Sequence, residues 1–395
     1  MRRVLVATGL MSLFLGETFA DENVAGWKAA ANAGREAFEA GHYPEAETLY
    51  RAALANADSE IAQAQIENNL GAILRSSARF QEAEKFALHA VELEERLSGP
   101  NHPDTAAALS NLGELYNAEG RYRDAEAILS RVLLIRKSTL GPDHPATAVT
   151  LAELGQTYFR LGEADRALSL LQQALRLTEK NVSPKDPRVA VMLNNLSSVY
   201  AAQHQYKQSE ECLKRAVGIW EQALGPHHPN LAAAYSNLAA LSLARRNYRV
   251  AEDYARRALE IDRQRLGPDH PATGIDMDNL GAALVAQKKF PEASKLLGQA
   301  LAIAEKARGP NHPDVADVLE NIAHLGVLEH HYADAAAGYR RAIQLREASL
   351  GPNNSRLIAD LNAYAYLMRQ MREFAEAEKA DVRALGIQVK NSLNP

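Results

Sequence analysis

Gly-Pro-Asn-His-Pro occupies residues 99–103. It returns as Gly-Pro-Asp-His-Pro at 141–145, Gly-Pro-His-His-Pro at 225–229, Gly-Pro-Asp-His-Pro at 267–271 and Gly-Pro-Asn-His-Pro at 309–313. These strings stand on one ladder whose step is 42 residues; its rung at 183 reads Ser-Pro-Lys-Asp-Pro and its rung at 351 reads Gly-Pro-Asn-Asn-Ser. Seven rungs without an insertion make the chain a tandem repeat. The chemistry of the string says where in the repeat it sits. Glycine suits the left-handed position just past a helix end, and the proline after it cannot continue that helix. The final proline suits the first position of the next helix, where its missing N–H costs nothing.

Working outward, other columns keep the same step. A Leu-small pair recurs as Leu70-Gly71, Leu112-Gly113, Leu154-Gly155, Leu196-Ser197, Leu238-Ala239, Leu280-Gly281 and, as Ile-Ala, Ile322-Ala323. A column of small residues runs from Ala83 through Ala125, Ala167, Ser209, Ala251, Ala293 and Ala335 to Ala377, with an aromatic three positions earlier at Phe80, Tyr122, Tyr206, Tyr248, Phe290, Tyr332 and Phe374. Small residues let two helices approach to ~8–10 Å, and an aromatic fills the space where the second helix folds back on the first. Each unit therefore reads helix, tight turn, helix, loop. First helices are expected to begin near residues 24, 60, 103, 145, 187, 229, 271, 313 and 354.

These columns resemble the tetratricopeptide repeat (TPR) in the long form found in kinesin light chains and many bacterial repeat proteins. The resemblance covers about residues 24–392. It implies an all-α fold, a right-handed superhelical solenoid of about nine antiparallel helix pairs whose first helices line a concave groove. The domain plan that follows is a leader over 1–20, a shorter first unit over 21–58, seven 42-residue units over 59–353 and a terminal unit with its cap over 354–395. The long heptad segment that joins kinesin light chains to their heavy chain is missing, so no motor role carries over.

At 395 residues the chain is longer than one hydrophobic core supports, as suits a repeat array, and the 47% hydrophobic and 24% charged residues exclude a largely disordered chain. A net charge of -5 with the signs interspersed argues against nucleic acid, whose phosphates need a concentrated basic surface. The N-terminus reads as a secretory signal peptide: Arg2-Arg3, an apolar run from Val4 to Leu15, and Thr18-Phe19-Ala20 as a cleavage site. Cleavage after Ala20 and export to the periplasm or the medium are expected. The run is shorter than the ~20 residues of a membrane span, and no other stretch is long and apolar enough, so no span is expected in the mature chain.

No phosphate-binding glycine loop, nucleophile elbow or H-E-x-x-H helix occurs, so neither catalytic residues nor cofactors are expected and the protein reads as a non-enzyme. Cys212 has no base oriented toward it and reads as a buried or half-buried thiol. His102, His144, His228, His270 and His312 recur in register, but successive units stack about 10 Å apart, whereas zinc needs ligand nitrogens at about 2.1 Å. Each histidine is instead expected to close its own loop at the start of the next helix, and no metal site is expected.

One polar column lacks a packing role. Asn69, Asn111, Asn195, Asn237, Asn279 and Asn321 precede the core leucine or isoleucine at the 42-residue step, with Glu153 in the remaining unit. Helical spacing adds Glu114, Gln156, Arg160, Ser198, Asp317 and His324 to that face, and beyond the last Asn, Tyr366. An amide offers donors and an acceptor, the complement of an extended main chain. In the resembled family the asparagine at this place grips a bound peptide, which implies that role for Asn111, Asn195, Asn237, Asn279 and Asn321. The same amides have a second possible role, bonding the neighbouring helix to fix the stacking. The function expected is a protein- or peptide-binding scaffold; the alternative is a regulatory or carrier subunit of an enzyme whose catalytic domain lies on another chain.

Overall fold

A computed structural model describes residues 26–39, 42–77 and 79–393; the expected leader lies outside them. Among the described residues there are eighteen α-helices and no strand. In order they are α1 (Gly26–Glu39), α2 (Tyr43–Ala55), α3 (Glu60–Ser76), α4 (Phe80–Leu97), α5 (Pro103–Ala118), α6 (Tyr122–Thr139), α7 (Pro145–Arg160), α8 (Ala164–Asn181) and α9 (Pro187–Ala202). The second half comprises α10 (Tyr206–Leu224), α11 (Pro229–Ala244), α12 (Tyr248–Arg265), α13 (Pro271–Ala286), α14 (Phe290–Arg308), α15 (Pro313–Leu328), α16 (Tyr332–Leu350), α17 (Leu357–Gln370) and α18 (Phe374–Leu393).

The loop strings do what their chemistry dictates. Gly99, Gly141, Gly225, Gly267, Gly309 and Gly351 all adopt positive φ, and the last proline of each intact string opens a helix. The histidine before it is the N-cap. Nδ1 accepts the backbone N–H two residues on, at 3.3 Å for His102, 3.1 Å for His312 and 3.2 Å for His144, His228 and His270. In the degenerate rung Asp186 takes the same place, accepting from Arg188 N at 2.9 Å. The last rung departs from the ladder. Asn354 Oδ1 accepts from Arg356 N at 3.0 Å, but no proline follows, and α17 begins at Leu357 rather than at the expected 354.

Packing runs between consecutive helices. The glycine of the Leu-Gly pair is a contact point: a Cβ on Gly113 would stand 2.7 Å from Leu129, and one on Gly281 would stand 2.6 Å from Leu297. Ala83, Ala125, Ala167, Ala251 and Ala293 are wholly buried at the matching positions of the second helices.

The chain divides into two compact units. The amino-terminal unit runs up to Thr157 and includes Ser169–Ser183; the carboxyl-terminal unit comprises Tyr158–Leu168 and the chain from Pro184 on. Its own core includes Leu280, Leu284 and Leu297 in the middle and Leu357, Leu361 and Ala365 toward the end.

Candidate functional site

The asparagine column is a ladder between first helices. Asn111 Nδ2 donates to Asn68 Oδ1 at 2.7 Å, Asn237 to Asn194 Oδ1 at 2.9 Å, Asn279 to Ser236 Oγ at 2.7 Å and Asn321 to Asp278 Oδ1 at 2.6 Å. Each acceptor lies 43 residues earlier, on the first helix of the preceding pair. Asn195, Asn237, Asn279 and Asn321 are buried, whereas Asn69 and Asn111 are partly exposed. Four of the six amides thus use a donor on stacking, whereas the Asn195 Nδ2 and the carbonyl oxygens of Asn237 and Asn279 are buried without a hydrogen-bond partner. Glu114 is buried and paired to Arg75 at 2.5 Å; Gln156 and Ser198 are buried as well.

In the carboxyl-terminal unit the chain meets itself across long sequence separations. The turn between α7 and α8 touches the loop before α17. Asn354 Nδ2 donates to Leu161 O at 2.6 Å, 193 residues away, and Arg356 donates to Phe159 O at 3.0 Å with its guanidinium 5.2 Å from that ring's centre. Gly162 makes the approach possible. Its φ is +83°, and a Cβ there would stand 3.1 Å from the Asn354 amide. Beside it Arg160 reaches Asp314 at 3.4 Å, a contact spanning 154 residues. Burial alone would raise the Asp314 carboxyl, but Arg308, His312 and Arg160 hold it well below the usual carboxylate range.

This closure bounds a cavity of about 900 Å³. One wall is polar: Arg160, Arg356, Asp317, Glu320 and Arg346. Arg346, on α16, donates to Asp317, Glu320 and Asp360, the Glu320 distance being 3.1 Å. Burial pushes the Asp360 carboxyl up to about 7, against the pull of Arg346. The rest of the lining mixes larger side chains such as Phe159, Tyr206 and Ile358 with six alanines, Ala164, Ala201, Ala202, Ala244, Ala359 and Ala363. Ala164 stands where most other units have an aromatic, which leaves room there.

A second cavity of about 380 Å³ shares Ala244, Glu320, Ala359 and Ala363 with the first and is lined further by Asn321 and His324. The structure therefore brings Arg160 to the larger cavity and Asn321 and His324 to the smaller one. The residues lining these two cavities do not include Asn69, Asn111, Asn195, Asn237, Asn279, Glu114, Gln156 or Ser198. Sequence reasoning missed Arg346, Asn354 and Arg356. The signals that point to them are the broken last rung and the absent aromatic at Ala164, both of which mark a unit that meets something other than its neighbour.

Among titratable groups elsewhere, burial pushes the half-buried Cys212 thiol up to about 11, away from a reactive thiolate. No group of three or more His, Cys, Asp or Glu able to hold a metal occurs among the described residues, and none of their helices is long and apolar enough to cross a membrane.

Curated proteins yield no match to this chain. Solved structures yield many. The Rap protein complexed with Competence and Sporulation Factor is 14% identical, with 93% of this chain and 99% of that one covered and a TM-score of 0.67. NprR in complex with its cognate peptide NprX is 13% identical, with 92% and 99% covered and a TM-score of 0.63. The nearly identical TPR-like repeats of a kinesin light chain-type protein from Podosopora anserina are 26% identical over 52% of this chain and 98% of that one, at a TM-score of 0.41. The tetratricopeptide repeat family model matches residues 62–133, 108–180, 188–264, 247–306 and 275–348, more than half of the sequence. Its helix pairs, small-residue columns and family match together show that the chain belongs to the tetratricopeptide repeat family.

Proposed function

We propose that the protein is a non-catalytic scaffold that holds a protein segment or extended peptide in the carboxyl-terminal unit. The observation that carries this reading is the cavity of about 900 Å³, which combines arginines, carboxylates and a floor of alanines. A main chain needs acceptors for its N–H groups and donors for its carbonyls, and this wall offers both. The alanines leave space for a backbone to lie close to the helices. Its volume is within the ~300–1,000 Å³ usual for ligand sites. Two structures that share the fold, at 14% and 13% identity, hold a factor and a peptide, which is consistent with the reading.

We also propose export of the chain with removal of residues 1–20, on the strength of the basic and apolar start; recovery of a soluble form that begins at Met1 would count against it. Purification from the exporting cell, acid release of bound material and mass spectrometry test the scaffold reading. Ala202 is exposed and lines the cavity, so Ala202→Trp fills it without touching the core. Peptides should be recovered from the unmodified chain and be depleted from the variant. Equal recovery from both would remove the cavity as the binding site.

A further inference from the structure

The smaller cavity has a different chemistry from the larger. Its body is apolar, built from Tyr248, Val285, Leu328, Tyr339 and Tyr366. Two of these are large side chains left open to solvent, Leu328 at 41% and Tyr366 at 57% exposure. Its polar edge consists of Glu320, Asn321 and His324, and no Lys or Arg lines it. Asn321 gives one amide N–H to Asp278, which leaves its carbonyl oxygen as an acceptor and a second N–H. Glu320 is a carboxylate already accepting from Arg346. The edge therefore sets a carboxylate, an amide carbonyl and an imidazole that can accept or donate around an apolar body.

That combination selects among apolar occupants by charge. A fatty acid or anionic lipid brings a carboxylate or phosphate, which would meet the Glu320 carboxylate with no Lys or Arg in the pocket's own lining. A peptide residue brings an apolar side chain flanked by main-chain N–H donors, which the Glu320 carboxylate and the Asn321 carbonyl can accept. Continuity with the larger cavity through Ala244, Glu320, Ala359 and Ala363 lets one strand of peptide occupy both.

We infer that the 380 Å³ pocket is a specificity subsite that takes one bulky apolar side chain, of the Leu, Phe or Trp class, from a linear peptide whose main chain runs on into the larger cavity. This rests on the peptide-scaffold reading and adds what the peptide must contain. Positions of the peptide in the larger cavity meet alanines and a wall of mixed charge, so selectivity is concentrated at the apolar residue.

The test uses the intact chain and fluorescein-labelled, acetylated heptapeptide pools, each with one position fixed and the others randomised, read by fluorescence polarisation. Pools fixed as Leu, Phe or Trp should bind about tenfold to a hundredfold tighter than the Ala pool, the range expected for burying a large apolar side chain. Leu328→Glu and Tyr366→Ala should each erase most of that preference, read as the ratio of apolar-pool to Ala-pool affinity, with the thermal melt unchanged, since both side chains are exposed. Pools that bind with no apolar preference, or a preference untouched by both variants, overturn the subsite and leave the scaffold reading standing. Displacement of the pools by micromolar palmitate would assign the pocket to a lipid instead. Failure of every pool to bind would overturn both readings.

Discussion

The two units follow one repeat pattern and put its polar positions to different ends. In the amino-terminal unit the polar contacts that cross from pair to pair run between neighbours: Arg75 to Glu114, Ser110 to Glu153, Asn111 to Asn68 and Asn117 to Thr157, at separations of 39 to 43 residues. In the carboxyl-terminal unit neighbours are joined the same way, but there are also contacts across 154, 193 and 197 residues. Neighbour contacts extend an array repeat by repeat. Contacts over several repeats enclose a space, and the cavities lie in the unit that has them. A stacking code shared by most repeats is therefore separable from the closure that a few residues create.

The largest effect should come from the centre of the closed unit. Arg346→Met strips Asp317, Glu320 and buried Asp360 of their common cation, a loss of about 3–5 kcal/mol for a broken buried pair. Hydrogen exchange followed by mass spectrometry should show protection lost through α15 to α17, with α3 to α6 spared. Equal loss in both regions would mean that the two units are one cooperative block, against the nearest-neighbour behaviour expected of repeats.

Next comes the asparagine ladder. Asn237→Ala with Asn279→Ala removes two hydrogen bonds between first helices and should lower stability by roughly 1–3 kcal/mol. A thermal melt and a titration with a bound heptapeptide pool separate the roles on one sample. A depressed melt with unchanged affinity is the expected result, because both amides are buried and bonded within the array. Weakened binding at an unchanged melting temperature would return the column to peptide recognition.

A third test concerns pH. Asp262 on α12 and Asp276 on α13 are buried together; burial lifts Asp262 from 3.8 to about 7 and raises Asp276 well above its usual range, with the Asp262 charge adding to the latter. Between pH 4 and 7 the folded chain thus holds protons that the unfolded chain has released, so the stability these groups provide at low pH is lost as pH rises through that window. Asp276→Asn should flatten the decline in melting temperature above pH 5. An unchanged slope would locate the titration elsewhere, for example at Glu153 of the other unit, which burial lifts to about 8.

The smallest effect should arise in the turns inside the pairs. His204, Arg246, Lys288, His330 and Arg372 hold φ of 62° to 64°, where Gly120 and Gly162 supply glycine at the equivalent positions. Left-handed backbone costs a side-chain-bearing residue about 1–2 kcal/mol, part of which a glycine gives back as chain entropy. Lys288→Gly should raise stability by less than about 1 kcal/mol, within reach of a denaturant titration.

The helix pairs were legible because the signals are local and repeated. A Gly-Pro after a helix, a His-Pro before the next and a glycine facing a leucine each act through neighbours at most one repeat away, and seven rungs in register, five of them intact, leave little freedom. The histidines illustrate the limit of locality in a favourable direction: their loop-closing role follows from position alone, and their Nδ1 atoms cap the helices they precede. The asparagines illustrate the other direction. Their face of the helix could be read, but whether that face meets solvent or the preceding helix depends on how closely first helices stack. The distances of 2.6 to 2.9 Å to residues 43 positions earlier were set by that stacking.

By itself the sequence determined the helices, their pairing and their caps, since these depend on propensity, φ preference and contacts within about one repeat. Only the tertiary structure decided that Asn354 and Arg356 meet the turn at Phe159–Gly162, and with it where the cavities lie. The reason is cumulative geometry. The rotation between successive pairs is small and set by many side-chain contacts at once, so where the chain returns to itself after some 190 residues is the sum of those rotations and no single motif encodes it.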